Sequence, residues 1–298
     1  MRTPKAVAAL ALVLTLVACG TGPDVRGEQG VVVHAANGDV RIPAPPSRIV
    51  SLSPTHTETL FAIGAGTQVM AVDDRSDVPA QAPRTDVSAF DPSAETVIGM
   101  APDLVVVSDD RNSIVEALGR AGIPVLEEPA AKDLDGVYDQ IEDMGRATGH
   151  TGGAERLVTD MRARIDRAVQ GRKGQGLTYF HELGPELYTA TSATFIGRAY
   201  QRFGLANVAD GAARPGGDYL QFDTENLLHA DPDLIFLADT RCCRQSPGTV
   251  AKRPGFGNLK AVARGDVVPL DDDVASRWGP RVAELYEAIA RAVAAARR

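Results

Sequence analysis

The chain has little of what catalysis, bare-metal binding or nucleic-acid recognition usually requires. Its 298 residues include three cysteines, five histidines and one tryptophan, and aromatic residues make up 5% of the total. The histidines (His34, His56, His150, His181 and His229) are scattered, and no histidine-rich loop is available to hold a free zinc or manganese ion. There is no Gly-x-Ser-x-Gly elbow, no Gly-x-x-x-x-Gly-Lys-Ser/Thr phosphate loop and no His-Glu-x-x-His helix, which removes the commonest hydrolase, nucleotide and metalloprotease patterns. Positive charge is in deficit: 31 Lys and Arg face 39 Asp and Glu, a formal net charge of −8, which argues against nucleic acid or an anionic membrane surface as the main partner.

A bilayer-spanning run is missing too. The apolar stretch Ala6 to Val17 is well short of the roughly 20 residues a transmembrane helix needs. It follows Arg2 and Lys5 and leads through Leu16-Val17-Ala18 into Cys19, which is the layout of an export signal over residues 1–18. Leu-Val-Ala-Cys resembles the bacterial lipobox, which implies lipidation of Cys19 and anchoring at the outer face of the cytoplasmic membrane; an ordinary cleaved signal is the alternative. Removing residues 1–18 takes the net charge to −10. Residues 19–30, polar and without periodicity, read as a tether. Cys242 and Cys243 are then the remaining cysteines. As chain neighbours they are too close for a relaxed disulfide, so a strained vicinal disulfide and two free thiols both stay open.

What the chain does have is a repeat. Glu95-Thr-Val-Ile-Gly-Met-Ala-Pro-Asp-Leu-Val-Val-Val-Ser-Asp109 shares its framework with Glu225-Asn-Leu-Leu-His-Ala-Asp-Pro-Asp-Leu-Ile-Phe-Leu-Ala-Asp239. Each copy reads as a short helix, a tight Pro-Asp turn and a buried parallel strand. Ser93 and Asp223 are suited to cap the two helices, which places Glu95 and Glu225 at the second helical position, where the helix dipole favours an anion. The two glutamates are either first-turn carboxylates only or, one per lobe, the contacts of a two-fold-related partner bearing arginines.

Strand and helix patterns alternate through both halves, so the expected class is α/β, two Rossmann-like lobes with mostly parallel sheets. The lobes are expected over residues 31–149 and 175–298. Between them, in residues 150–174, an apolar residue every fourth position (Leu157, Met161, Ile165, Val169) predicts a single long helix over about Ala154 to Arg172, which at ~1.5 Å per residue is a rigid strut of ~28 Å. Ligands of open α/β sheets bind beyond the carboxyl ends of the strands. The loops expected there carry His56, Arg75, Phe90, His181, Tyr219, Arg241, Arg277 and Trp278, a mixture of aromatic and cationic groups suited to a bulky, flat, partly anionic ligand. His56 has an alternative role as a helix cap, and His181 as a strand-end histidine. Asp271-Asp-Asp273 reads as a solvated turn.

Arg48-Ile-Val-Ser-Leu-Ser-Pro-Thr-His-Thr-Glu58, Ser76-Asp-Val-Pro79, the twin Glu-x6-Pro-Asp-Leu segments, Phe195-Ile-Gly197 with Gly204-Leu-Ala-Asn207, and Trp278-Gly-Pro-Arg281 occur in order over about residues 31–295. Together they resemble the class III solute-binding proteins of ABC importers for ferric siderophores, haem and cobalamin. The resemblance implies a monomer that is not an enzyme, needs no cofactor and carries a metal chelate or corrinoid in the interlobe cleft. It implies docking on a permease dimer with its ATPase through Glu95 and Glu225, with Tyr219 and Phe90 on opposite cleft walls. Arg75, where cobalamin binders often present an aromatic, points to an anionic iron complex. An exported enzyme using His56 or His181, or a sensor module using the same cleft, are the rival readings.

Overall fold

The computed structural model describes residues 30–171, 174–214 and 216–296, so the expected signal segment, Cys19 and nearly all of the tether lie outside the described residues. Two four-stranded sheets organise the chain. The N-terminal sheet runs Val69–Val72, Ile49–Leu52, Leu104–Val107, Val125–Glu127 from edge to edge, and every pair is parallel. The C-terminal sheet runs Ala206–Asn207, Thr178–Glu182, Leu234–Leu237, Val267–Pro269, again all parallel. Numbered within its own lobe, each sheet has the order 2-1-3-4, so the duplication seen in the sequence extends to the topology. The third strand in each lobe is the strand of the repeat, and all four residues of both are buried, as the continuous apolar runs require.

In both lobes the chain order reverses between the first and third strands, and ligand crevices form at such switch points. Their carboxyl ends lead into Ser53 and Ser108 in one lobe and into Leu183 and Ala238 in the other. Those four ends mark where a ligand crevice is expected.

The strut between the lobes is a helix over Thr151–Val169. Its buried stripe is Ala154, Val158, Met161, Ile165 and Ala168, spaced alternately four and three residues apart. One hydrophobic core runs without a break from Ile49 and Leu104 of the first sheet, through Met161 and Ile165, to Tyr179, Phe236 and Ile289 of the second lobe. A shared core stiffens the lobe-to-lobe geometry more than a surface connector would. The strut also sits tightly on the N-terminal lobe: a Cβ at Gly153 would fall 1.9 Å from the carbonyl oxygen of Ile63, at the end of the helix Pro54–Ile63, so only glycine permits this approach.

Two small antiparallel pairs complete the fold. The N-terminal hairpin pairs Val31–Ala35 with Gly38–Ile42. Tyr188–Ala190 pairs with Tyr219–Gln221 over the C-terminal lobe, which puts Tyr188 and Tyr219 on the same side of one ribbon.

Candidate functional site

Between the lobes lies a cavity of about 400 Å³ walled by Ala130 to Lys132 from the N-terminal side and by Phe195, Arg198, Tyr219 and Trp278 from the C-terminal side. Trp278 is positioned by contacts to the opposite lobe: its indole N–H donates to Oε1 of Gln140 at 3.2 Å, and its ring meets the edge of His56 with centroids 6.4 Å apart. Tyr219 stands 58% exposed and Tyr188 51% exposed, so both rings are open to contact. Phe90 is 63% exposed and lies between two guanidinium groups, Arg75 at 5.7 Å and Arg111 at 5.8 Å from its centroid. These contacts hold the ring as a platform on the N-terminal lobe. Neither Phe90 nor Arg75 lines the cavity that contains Tyr219 and Trp278.

The cleft arginines are paired with carboxylates, Arg277 and Arg281 largely covered and Arg241 half-exposed. Arg277 reaches Glu58 at 2.7 Å, Asp273 at 2.7 Å and Asp77 at 3.6 Å. Arg241 reaches Asp273 at 2.7 Å and Asp77 at 3.1 Å, and Arg281 grips Glu58 through Nε at 2.6 Å and Nη2 at 2.7 Å. Glu58 and Asp77 belong to the N-terminal lobe, the three arginines to the C-terminal lobe. The lobes are therefore clasped by charge on one side of the cleft, and Glu58 is almost fully buried within the clasp. The run Asp271 to Asp273, read from sequence as a solvated turn, is instead the capped start of the helix Asp272–Ser276 and supplies the carboxylates of this clasp. Arg75 lies 3.7 Å from Asp74. Glu58, Asp77 and Arg281 were not singled out from sequence for this role; Arg281 carried a signal only as the last residue of Trp-Gly-Pro-Arg.

The structure places His56 and His181 below the cleft surface, both at 0% exposure. His56 has no hydrogen-bond partner at either ring nitrogen, whereas His181 shares a 2.8 Å hydrogen bond between Nδ1 and the Tyr200 hydroxyl and leaves Nε2 unpartnered. Burial pushes His56 down to about 3 and His181 down to about 4. Neither ring is exposed at the cleft in this arrangement. Two buried acids move the other way: burial and the adjoining Glu182 push Asp239 up to about 7, and burial with Asp143 nearby pushes Glu128 up to about 8.

These four groups set a pH dependence. The unfolded chain protonates its histidines near 6.5, before the folded chain does, so the stability of the neutral rings is lost as the pH falls below 6.5 toward 4 and 3. The folded chain keeps the protons of Asp239 and Glu128 after the unfolded chain has lost them, so their stability is full below about 4 and is lost as the pH rises through 7 and 8. The contributions of these four groups oppose each other between about 4.5 and 6.5. Asp239→Asn, which imitates the protonated acid, removes one of them. Urea unfolding of that variant is expected to gain less stability than the parent on going from pH 6.5 to 4.5, its slope differing by about 1.4 kcal/mol per pH unit. An unchanged slope would show that Asp239 titrates normally.

Glu95 and Glu225 occupy the second positions of the helices Ala94–Gly99 and Thr224–Ala230. Ser93 caps the first by accepting from the Thr96 N–H, and Asp223 caps the second by accepting from the N–H groups of Glu225 and Asn226. Both glutamates are exposed, and among the described residues neither carboxylate is in an ion pair with an arginine or lysine of this chain. Cys242 and Cys243 are free and exposed.

A family model described as "Periplasmic binding protein" matches residues 49–274. The chain is 30% identical over 269 residues to a protein of Halobacterium salinarum named "Cobalamin-binding protein", covering 87% of this chain and 72% of that one. It is 29% identical over 309 residues to an ABC transporter substrate-binding lipoprotein of Bacillus subtilis, YvrC, covering 96% of this chain and 95% of that one. In fold it is similar to the periplasmic vitamin B12 binding protein BtuF of Vibrio cholerae, with a TM-score of 0.72 and 23% identity over 85% of this chain and 99% of that one. It is likewise similar to the periplasmic heme-binding protein RhuT of Roseiflexus sp. RS-1, with a TM-score of 0.73 and 23% identity over 84% and 99%. None of these is named as an enzyme. With two 2-1-3-4 lobes on a single helical strut and a family match across three quarters of its length, the chain belongs to the periplasmic binding protein family, as a class III solute-binding protein of the ABC-importer type.

Proposed function

We propose that the protein captures a corrinoid in the interlobe cleft and delivers it to the permease of an ABC importer, held near that permease by a lipid on Cys19. One observation carries the ligand choice. The arginines at the cleft, Arg241, Arg277 and Arg281, are engaged by Glu58, Asp77, Asp271 and Asp273 and do not line the cavity, whose walls hold the rings of Phe195, Tyr219 and Trp278 beside Lys132, Arg198 and Asp218. An iron complex with several carboxylates or catecholates needs free cations, because a buried anion without one pays its full desolvation. The edge of a corrinoid ring is rimmed by neutral amides, and the molecule carries a single phosphodiester. Trp278, Phe195 and Tyr219 suit the ring, and Lys132 with Arg198, also lining the cavity, suits one phosphate. The 30% identical relative named for cobalamin supports the same choice. The similarity to a lipoprotein over nearly the whole chain supports the anchor.

Isothermal titration of the purified protein with cyanocobalamin, haemin and ferrichrome tests the assignment. Cyanocobalamin is expected to bind, and Tyr219→Ala to weaken it about tenfold, the loss of roughly 1.4 kcal/mol of ring contact. Binding of haemin or ferrichrome with no response to cyanocobalamin would overturn the corrinoid reading while leaving the receptor role in place.

A further inference from the structure

The loop Thr240 to Gln245 follows the third strand of the C-terminal sheet and borders the charge clasp, and none of the chemistry above uses its two thiols. We infer that Cys242 and Cys243 are a reversible redox modification site, a dithiol that closes to a vicinal disulfide by exchange with a small disulfide or an exported disulfide-donating protein. Both residues are exposed and neither has another cysteine as a rival partner among the described residues. The loop is built to present them together. Asp272 accepts from the N–H of Arg241 at 3.0 Å, from the N–H of Cys242 at 2.8 Å and from the Thr240 hydroxyl at 2.8 Å. The N–H groups of Cys243 and Gln245 both return to the carbonyl of Asp239, at 3.3 and 3.2 Å. Arg244 adopts a positive φ of 56°, which bends the chain back at the end of the pair.

The local charges assign an order to the two sulfurs. Cys242 is held as a thiol, pushed up to about 12 by burial, by the Cys243 sulfur beside it and by the Asp272 carboxylate. Because the Asp272 carboxylate adjoins Cys242 and disfavours a negative sulfur there, the exchange opens at Cys243, which gives its proton to solvent, displaces one half of the donor disulfide and becomes mixed with the other half. Cys242 then gives up its proton to solvent past Asp272 and attacks the Cys243 sulfur, expelling the second half of the donor. Two protein S–H bonds and one donor S–S bond are consumed, and one protein S–S bond and two donor S–H bonds are formed. A ring closed between chain neighbours is strained, and strained disulfides are readily reduced, so the site is a switch and not a permanent staple.

The test uses the exported protein, reduced, desalted and exposed to oxidised glutathione, then quenched in acid and alkylated with N-ethylmaleimide. Intact mass and peptide mapping are expected to show loss of two hydrogen masses on the peptide containing both cysteines, no alkylation there, and full recovery of two alkylatable thiols after phosphine reduction. Closure is expected to speed up from pH 7 to pH 9, because Cys242 must lose its proton. Cys242→Ser is expected to stall as a stable glutathione adduct on Cys243. Two alkylated thiols after exposure, a lasting glutathione adduct in the parent protein, or a disulfide-linked dimer would each overturn the proposal. Cyanocobalamin binding is not part of the readout, so this result and that of the ligand assignment stand apart.

Discussion

Cells carrying Glu95→Ala with Glu225→Ala are expected to lose cyanocobalamin uptake, while the isolated double variant binds cyanocobalamin within about twofold of the parent. The two side chains project from equivalent helices in two lobes of the same topology, and both are exposed. A carboxylate at a helix start gains only ~0.5 kcal/mol from the dipole, so removing both leaves the fold essentially unaffected. The same carboxylates meeting arginines in an interface lose far more: truncating one partner of a desolvated charge pair costs about 2–5 kcal/mol, or a factor of roughly 30 to several thousand in affinity per site. On the docking reading, two such losses on one body multiply, because the shared core holds the two lobes together. Each single variant is expected to retain partial uptake. Restoration of uptake to the double variant by permease arginines changed to glutamine would not fit this scheme, whereas arginine at 95 and 225 paired with glutamate in the permease should recover it. A double variant that loses ligand affinity would place the glutamates in the cleft or in the core instead.

The sequence made the scaffold legible where the pattern is local. The repeat announced both third strands, Ser93 and Asp223 announced the caps, and the four-residue spacing of Leu157, Met161 and Ile165 announced the strut, although its helix spans Thr151–Val169, starting three residues earlier than the apolar spacing suggested. The N-terminal hairpin has a local signal too, Asn37 in its two-residue loop followed by Gly38 at a φ of 100°. The ribbon that presents Tyr188 and Tyr219 was illegible, since its strands are 28 residues apart and very short. The clasp was illegible for the same reason in stronger form: Glu58 and Arg277 are separated by 219 positions. Arg241 and Arg277 look available to a ligand when read along the chain because, Asp273 beside Arg277 apart, their carboxylates come from distant positions. Composition had suggested an anionic ligand; pairing of the charges in space argues for a nearly neutral one.

Arg253→Leu is expected to be the most destabilising single change outside the apolar core. Its guanidinium makes two parallel bonds to Glu182, at 2.7 and 2.5 Å, and a third to Oε1 of Gln245 at 2.8 Å, with Glu182 only 1% exposed and Arg253 17%. Glu182 ends one strand of the C-terminal sheet and Asp239 lies two residues past the end of its neighbour Leu234–Leu237, so one cation serves two buried acids, and Asp239 already answers by holding its proton up to about 7. Without Arg253, Glu182 is a buried carboxylate with no counter-charge, which costs about 3–5 kcal/mol, and burial against a second acid adds to it. The leucine also gives up the stacking of the guanidinium on Phe256, 5.4 Å from its centroid, a smaller loss. Two further measurements separate the charge from the packing. Adding Glu182→Gln to Arg253→Leu is expected to recover most of the lost stability, because the uncompensated charge is gone while the packing defect remains. Lowering the pH from 8 to 5 is expected to narrow the gap between Arg253→Leu and the parent, because Glu182, stripped of its cation, takes up a proton that the folded variant then keeps. A cost below about 1 kcal/mol, or a gap that neither treatment narrows, would mean that the loop at the end of these strands opens to water once the arginine is removed, and that the floor of the cleft owes its shape to the apolar residues beneath it.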